Sequence, residues 1–163
     1  MKIEDFIKPV RDVIGDSMYD NDPNSETYNE PILDAQEYAN QTIINWIGLA
    51  VVQAESYLNE SRTLSDPLDV LTKDTEITPD ITNVAAKNKY ILLIASLIKI
   101  ENIVPQYDET IANPDSSYYL VKAPLSPKTI GAVIKAYRGS SSYTEFSQIL
   151  NAVGIIFNDQ ESG

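Results

Sequence analysis

Apolar residues recur at three- and four-residue steps in several segments of this chain, a spacing that is typical of amphipathic helices. The first such segment is residues 3–14, where Pro9 predicts a kink and Gly15 predicts the end of the helix. A polar loop over residues 15–30 leads to a second apolar stripe over residues 31–59. About 28 helical residues at 1.5 Å each would span roughly 42 Å. The pattern therefore predicts a short N-terminal helix followed by one long helix.

The third predicted helix, residues 81–104, is the most apolar segment of the chain. A helix with so few polar positions is covered by other elements on most sides. It is not predicted to span a membrane, because lysine and glutamate residues interrupt it well before the ~20 apolar residues that a span needs. We therefore expect this helix to lie inside the protein.

The remaining segments are shorter. Residues 59–80 have turn-forming composition, with one short helical turn predicted over residues 66–71, where Asp66 would cap the turn. A β-like run occupies residues 117–122. Two C-terminal helices are predicted over residues 126–137 and 143–157.

Together these elements predict a mainly α fold: a small helical bundle of about four to five helices, with one long central helix and a short extended or hairpin element. The chain is long enough for one domain with its own core, which we place at residues 1–157, with a flexible tail at 158–163. The apolar stripes predict the following core residues: Phe6, Val10, Trp46, Ile47, Val51, Leu93, Leu97 and Ile100.

The charge is strongly acidic and unevenly distributed. The formal net charge is −12, and residues 1–80 hold 17 acidic and 5 basic side chains, whereas residues 81–163 hold 7 of each. Such a surface repels phosphates, so sequence-specific binding of DNA or RNA is not expected. The start of the chain carries acids where a secretory signal needs a basic stretch, which predicts a cytoplasmic site of synthesis.

Candidate chemistry is sparse. The 163 residues contain no histidine and no cysteine, which removes the side chains that most often serve as bases, thiol nucleophiles and transition-metal ligands. The loop of Asp20, Asp22 and Asn24 matches three positions of a calcium loop, but Ser25 and Pro31 replace its essential glycine and glutamate. We therefore predict no catalytic, cofactor-binding or metal-binding residues and expect a protein that is not an enzyme. A carboxylate enzyme that uses a divalent metal at Asp20 or Asp22 remains an alternative.

Ten tyrosines, many in or beside predicted loops, favour a protein that binds other proteins, because tyrosine combines a large apolar area with a polar tip. The last predicted helix also carries an apolar stripe. The candidate partner-binding residues are Tyr118, Tyr119, Tyr143, Phe146, Ile149, Leu150, Val153 and Phe157.

One motif resembles a known family. Residues 7–16 fit the pattern I-x-x-V-R-x-x-I-G-D, which is similar to the N-terminal helix of head-completion or head–tail connector (adaptor) proteins of tailed bacteriophages. The stripe that begins with Leu33 and Ala35, and the apolar helix after it, resemble the same family in order and spacing. The resemblance covers most of residues 3–157.

The resemblance implies a structural virion protein at the head–tail junction. It would form a ring of copies, commonly twelve, and bind the portal protein and a tail or stopper protein. DNA would pass through the channel of the ring without sequence-specific binding, since an acidic wall makes no phosphate contacts. No membrane partner is expected. The acidic first half suits an alternative function as well, a DNA-mimicking regulatory protein that binds a basic host protein.

Overall fold

The computed structural model describes residues 1–16, 22–28, 37–103 and 127–152. In these ranges the protein is a mainly helical fold, as predicted, with five α-helices and one small two-stranded sheet. The elements are α1 (Glu4–Ile14), α2 (Asn40–Leu58), β1 (Thr63–Leu64), β2 (Ile77–Thr78), α3 (Val84–Ile98), α4 (Pro127–Gly139) and α5 (Tyr143–Ala152).

Helix α3 lies at the centre and contacts each of the other four helices. Every residue from Tyr90 to Ile98 is buried. This confirms the expectation that the most apolar segment is covered on most sides. Its first turn is different: Val84 is 71% exposed, and the Asn83 side chain accepts a hydrogen bond from the Ala86 amide. Because this cap fixes the start of the helix, α3 begins three residues later than the sequence pattern predicted.

The C-terminal end of α3 continues as a π-helical turn, Lys99–Ile103. Lys99 is 4% exposed, and its Nζ donates a hydrogen bond of 2.8 Å to the carbonyl of Val13. The last carbonyls of a helix lack partners within that helix, so this cation supplies a donor where the α1 dipole is negative. The contact fixes α1 along α3.

Helix α1 ends where the sequence predicted. Gly15 has φ 80°, a left-handed conformation that glycine adopts without steric cost, and its amide bonds to the Arg11 carbonyl. The buried face of α1 includes Phe6 and Val10, which lie in the core.

Helix α2 is shorter than predicted. Residues 37–39 are not helical, and the helix begins at Asn40 after Ala39, which has extended backbone. Within the described residues α2 therefore has 19 residues, and residues 31–36 of the predicted helix lie outside them. The apolar stripe predicts which face of α2 is buried, but it does not predict the residue at which the helix begins.

The segment between α2 and α3 forms a small antiparallel element that the sequence pattern missed. Thr63 pairs with Thr78 and Leu64 with Ile77. The N-terminal residues run along the other side of β2, where the Ile3 amide donates to the Thr75 carbonyl at 3.0 Å. These strands are too short to show a two-residue alternation in the sequence.

The helical turn expected over residues 66–71 is reduced to one hydrogen bond, from the Val70 amide to the Pro67 carbonyl. The Asp66 carboxylate does not cap this turn and accepts instead from the Thr75 hydroxyl at 2.6 Å. Leu71 then lies on α2, where it is 2% exposed.

Helices α4 and α5 occupy the predicted C-terminal positions and meet through the rings of Tyr137 and Phe146, whose centroids lie 5.6 Å apart. Ser142 and Glu145 cap α5: the Ser142 hydroxyl accepts from the Glu145 amide, and the Glu145 carboxylate accepts from Ser141. These hydrogen bonds from Ser141 lower the pKa of Glu145.

Seven of the eight predicted core residues are buried, and Trp46 is half-buried against the ring of Tyr38 at 5.0 Å. The β-like run at 117–122, residues 153–157 of the last predicted helix and the 158–163 tail lie outside the described residues.

Gly48 and Gly131 form a matched pair that tests how closely the 59–80 segment lies on α2. A Cβ atom at Gly48 would lie 2.3 Å from Cδ1 of Leu71, whereas nothing lies within 4 Å of a Cβ atom at Gly131. Alanine is about 1 kcal/mol more favourable than glycine inside a helix. In urea denaturation we expect Gly131→Ala to raise the free energy of unfolding by about 1 kcal/mol and Gly48→Ala to lower it. Equal stabilisation by both variants would contradict the contact.

Candidate functional site

The most highly organised polar group in the described structure joins the end of α1 to the start of α2. It consists of Arg11 and Asp16, with the backbone of Glu37 and Tyr38 and the side chain of Asn40, and we call it the α1–α2 junction. Arg11 is 0% and Asp16 is 5% exposed. The junction is thus an ion pair inside the protein.

Each charge of the junction is held by several hydrogen bonds. The Arg11 Nη1 donates to Asp16 Oδ2, and its Nη2 donates to the Tyr38 carbonyl at 2.8 Å and to Asn40 Oδ1 at 2.7 Å. The Asp16 carboxylate accepts from the amides of Glu37 at 2.7 Å and Tyr38 at 3.2 Å. A buried ion pair needs such additional partners to offset its loss of hydration.

The junction explains the sequence motif. Gly15 reverses the chain so that the Asp16 amide bonds to the Arg11 carbonyl at 2.8 Å, which returns the carboxylate to the arginine. The R-x-x-I-G-D part of the motif therefore encodes a helix end with a buried ion pair. Its charges are inaccessible, so they serve the fold and present nothing to a partner.

A second polar cluster surrounds Tyr90 on α3. The Arg62 guanidinium lies 4.4 Å from the centroid of the Tyr90 ring, and Glu60 pairs with Arg62 at 2.9 Å. Burial raises the pKa of Tyr90 to about 12, although the charge of Arg62 acts in the opposite direction. Burial likewise raises the pKa of the neighbouring Tyr137.

Lys89 links this cluster to the C-terminal helices. Its Nζ donates to the Ser140 carbonyl at 2.7 Å and lies 4.4 Å from the centroid of the Tyr137 ring. Desolvation lowers the pKa of Lys89. Because both the lysine and the tyrosine are engaged in holding α3 against the α4–α5 turn, the arrangement has the geometry of a structural contact.

The predicted partner-binding residues fall into three groups. Tyr143 is 44% exposed, and Ile149 is half-buried on the same helix. Phe146 and Leu150 are 0% exposed, so the expectation that their side chains face a partner is corrected: they belong to the core between α5 and α3. Tyr118, Tyr119, Val153 and Phe157 lie outside the described residues.

Tyr143 borders an open cleft of about 370 Å³ between α1, α3 and the start of α5. Val13, Ile91 and Leu92 give the cleft an apolar floor, and Asp12 and Asn88 line it with polar groups. A cleft of this composition can receive an apolar side chain with a polar neighbour.

A second exposed surface was missed by sequence reasoning. Leu49 is 45% and Val52 39% exposed on the outer side of α2, while Leu68 and Val70, from the adjoining segment that packs on α2, are 47% and 56% exposed. We call these four residues the α2 apolar patch. The sequence did hold an indication of it, because Leu49 and Val52 are apolar yet fall outside the apolar stripe of α2.

The patch adjoins an acidic depression at the end of α2. This depression, of about 380 Å³, is lined by Val52, Glu55, Ser56, Asn59, Glu60 and Ser61. Glu60 already pairs with Arg62, and the charge of Glu55 favours a further cationic group at this depression.

Within residues 1–16, 22–28, 37–103 and 127–152, no group of three or more acidic side chains is placed to hold a metal ion. Among the same residues, no helix is long and apolar enough to cross a bilayer. Of the loop that partly matches a calcium loop, Asp20 lies outside the described residues, and the Asp22 carboxylate accepts from the Asn24 amide at 2.9 Å, an arrangement typical of a turn.

Comparison of the chain with protein-family models, with curated proteins and with solved structures finds no match.

Loss of the Asp16 charge tests the junction. We expect Asp16→Asn to lower the free energy of unfolding by about 3 kcal/mol or more, because Arg11 would keep a buried charge without its counter-ion. The matched control is Glu60→Gln, which removes an ion-pair partner whose side chain is 51% exposed and should change stability by about 1 kcal/mol or less. Urea denaturation of both variants measures the difference, and equal effects would contradict a structural role for the junction.

The raised pKa of Tyr90 predicts an alkaline stability window. The unfolded chain ionises its tyrosines near pH 10, whereas folded Tyr90 keeps its proton until about pH 12. The folded state therefore binds the extra proton in this window, and stability must fall as the pH rises from about 10 through 12. Absorbance titration of the phenolate should show a late step that Tyr90→Phe removes. If Tyr90→Phe instead removed a step near pH 10 and left the late part of the curve unchanged, the burial of the hydroxyl would be contradicted.

Proposed function

We propose that this protein is a structural virion protein of a tailed bacteriophage, an adaptor that forms a ring between the portal and the tail. In this role it extends the channel through which DNA leaves the head. It is made in the host cytoplasm and ends at the head–tail junction of the virion. Its work is binding other polypeptides, and it is not an enzyme.

The observation that carries the proposal is the α1–α2 junction. The motif that resembles the connector family ends α1 at Gly15 and brings Arg11 and Asp16 into a buried ion pair at the point where α1 meets α2. A resemblance based on a short sequence pattern is better supported when the residues of the pattern act together in the structure. The order of the described helices, the short α1, the longer α2 and the very apolar α3, supports the same resemblance.

The exposed surfaces suit a protein with more than one neighbour. The Tyr143 cleft and the α2 apolar patch are formed by different residues, and each combines apolar area with polar groups at its edge. Such surfaces are typical of protein–protein contacts. The acidic net charge of −12 suits a wall along which DNA moves without binding.

Co-expression with the portal protein of the same phage tests the proposal. We expect a complex whose mass by native mass spectrometry contains several copies of each chain, and density for this protein below the portal in electron micrographs of virions. Absence of co-assembly together with particles that lack the protein would overturn the proposal. Tight, salt-sensitive binding to a basic host protein in its place would support the DNA-mimic alternative.

Substitution of Tyr143 tests whether the cleft beside it binds the portal or the tail protein. We expect Tyr143→Ser to weaken binding to the portal or tail protein about tenfold, since exposed tyrosines often dominate such contacts. The matched control is Tyr57→Ser, at a side chain that is 37% exposed on α2. Binding measured by surface plasmon resonance should separate the two variants, and equal affinities would exclude the cleft from both contacts.

A further inference from the structure

Helix α4 differs from the rest of the protein in its charge. Lys128, Lys135 and Arg138 are its ionisable cations, and the helix contains no acidic residue, in a chain whose net charge is −12. Lys135 and Arg138 are exposed. This basic helix is therefore unlike the acidic surface that surrounds it.

The exposed side of α4 also carries two small residues, Gly131 and Ala132. Gly131, Ala132 and Lys135 are exposed, and Lys135 lies four residues after Gly131 and three after Ala132, so it shares one side of the helix with both. A Cβ atom at Gly131 or at Gly139 would meet nothing within 4 Å, which leaves open space over both ends of this side. Small residues allow another element to approach the helix closely. We call the exposed residues Gly131, Ala132, Lys135 and Arg138 the α4 basic face.

The α2 apolar patch has the opposite properties. Its four side chains project from the surface, and Asp69 lies between Leu68 and Val70 in the chain. The acidic depression with Glu55 and Glu60 adjoins it at Val52. Residues 66–80 hold five acids and one base. The patch thus consists of exposed apolar side chains with acidic residues nearby.

We propose that the α4 basic face of one copy of this chain docks on the α2 apolar patch of a second copy. Leu49 and Val52 of one copy would pack over Gly131 and Ala132 of the other, and Lys135 would enter the acidic depression. Complementary charge selects this occupant, because α4 is the described helix that combines exposed cations with no acid. The inference rests on the proposed function in that an adaptor ring needs such a contact.

The symmetry of the contact follows from its two different surfaces, the α4 basic face on one copy and the α2 apolar patch on the other. The patch and the basic face consist of different residues, so the interface is heterologous. When two copies bind, one copy still has an unoccupied α2 apolar patch and the other an unoccupied α4 basic face, and each can bind a further copy. Such contacts close into rings or continue as open arrays. In one copy, Arg138 donates to the Tyr57 carbonyl, which anchors the end of α4 beside the end of α2 and holds the two halves in a fixed relation.

Charge exchange tests the contact with the purified full chain alone. In sedimentation velocity at low salt we expect wild-type protein to associate as its concentration rises. Lys135→Glu and Glu55→Lys should each weaken this association by about tenfold or more, and the double variant should recover part of it, because it restores opposite charges at the depression. The matched control is Glu101→Lys, a reversal at an exposed residue of the π-helical turn, which should retain association.

A second pair of variants tests the apolar half. Leu49→Ser combined with Val52→Ser should reduce association without changing the far-ultraviolet circular dichroism of the chain, because both side chains are already exposed. Wild-type protein that is monomeric at every concentration, or association that Lys135→Glu leaves unchanged, would overturn the inference. If the chain binds the portal but does not self-associate through these surfaces, the docking inference is wrong and the proposed function stands. If the chain self-associates in this way but does not bind the portal, the docking inference stands and the proposed function is wrong.

Discussion

The burial of α3 from Tyr90 to Ile98 is the constraint on which the other helices depend. From Tyr90 to Ile98 the helix presents apolar or small side chains in every direction, and all of them are buried. A helix of this kind is stable in water only when its neighbours cover it. Helices α1, α2, α4 and α5 each contact α3, so their positions are set by the shape of one central element.

The interior charges refine this arrangement. Arg11 donates to the Asp16 carboxylate just beyond the end of α1, and Lys99 donates to the Val13 carbonyl in its last turn, where the helix dipole favours cations. Asp16 supplies the matching negative charge. Buried ion pairs add little net stability, but removing one partner is costly, so they favour the one chain path that satisfies them. We infer that the junction specifies how the chain leaves α1 and enters α2, while apolar burial provides most of the stability.

The surface has a corresponding division of charge. The segment between α2 and α3 concentrates acidic residues around exposed apolar side chains, whereas α4 carries cations and small residues. A monomer that needs no neighbours has little reason to keep both features exposed. Their complementarity is the physical basis of the docking proposal, and the acidic remainder of the surface limits other contacts to partners of suitable charge.

The sequence by itself determined the helical class, the buried faces of the helices and the end of α1 at Gly15. These features are local: an apolar stripe at three- and four-residue steps and a left-handed glycine follow from the geometry of one helix. Tertiary structure decided the rest. It placed the start of α2 at Asn40, paired β1 with β2, and buried Phe146 and Leu150 where a partner surface had been expected. An apolar stripe has the same spacing whether it meets its own core or another chain, and only the positions of the neighbouring helices distinguish the two.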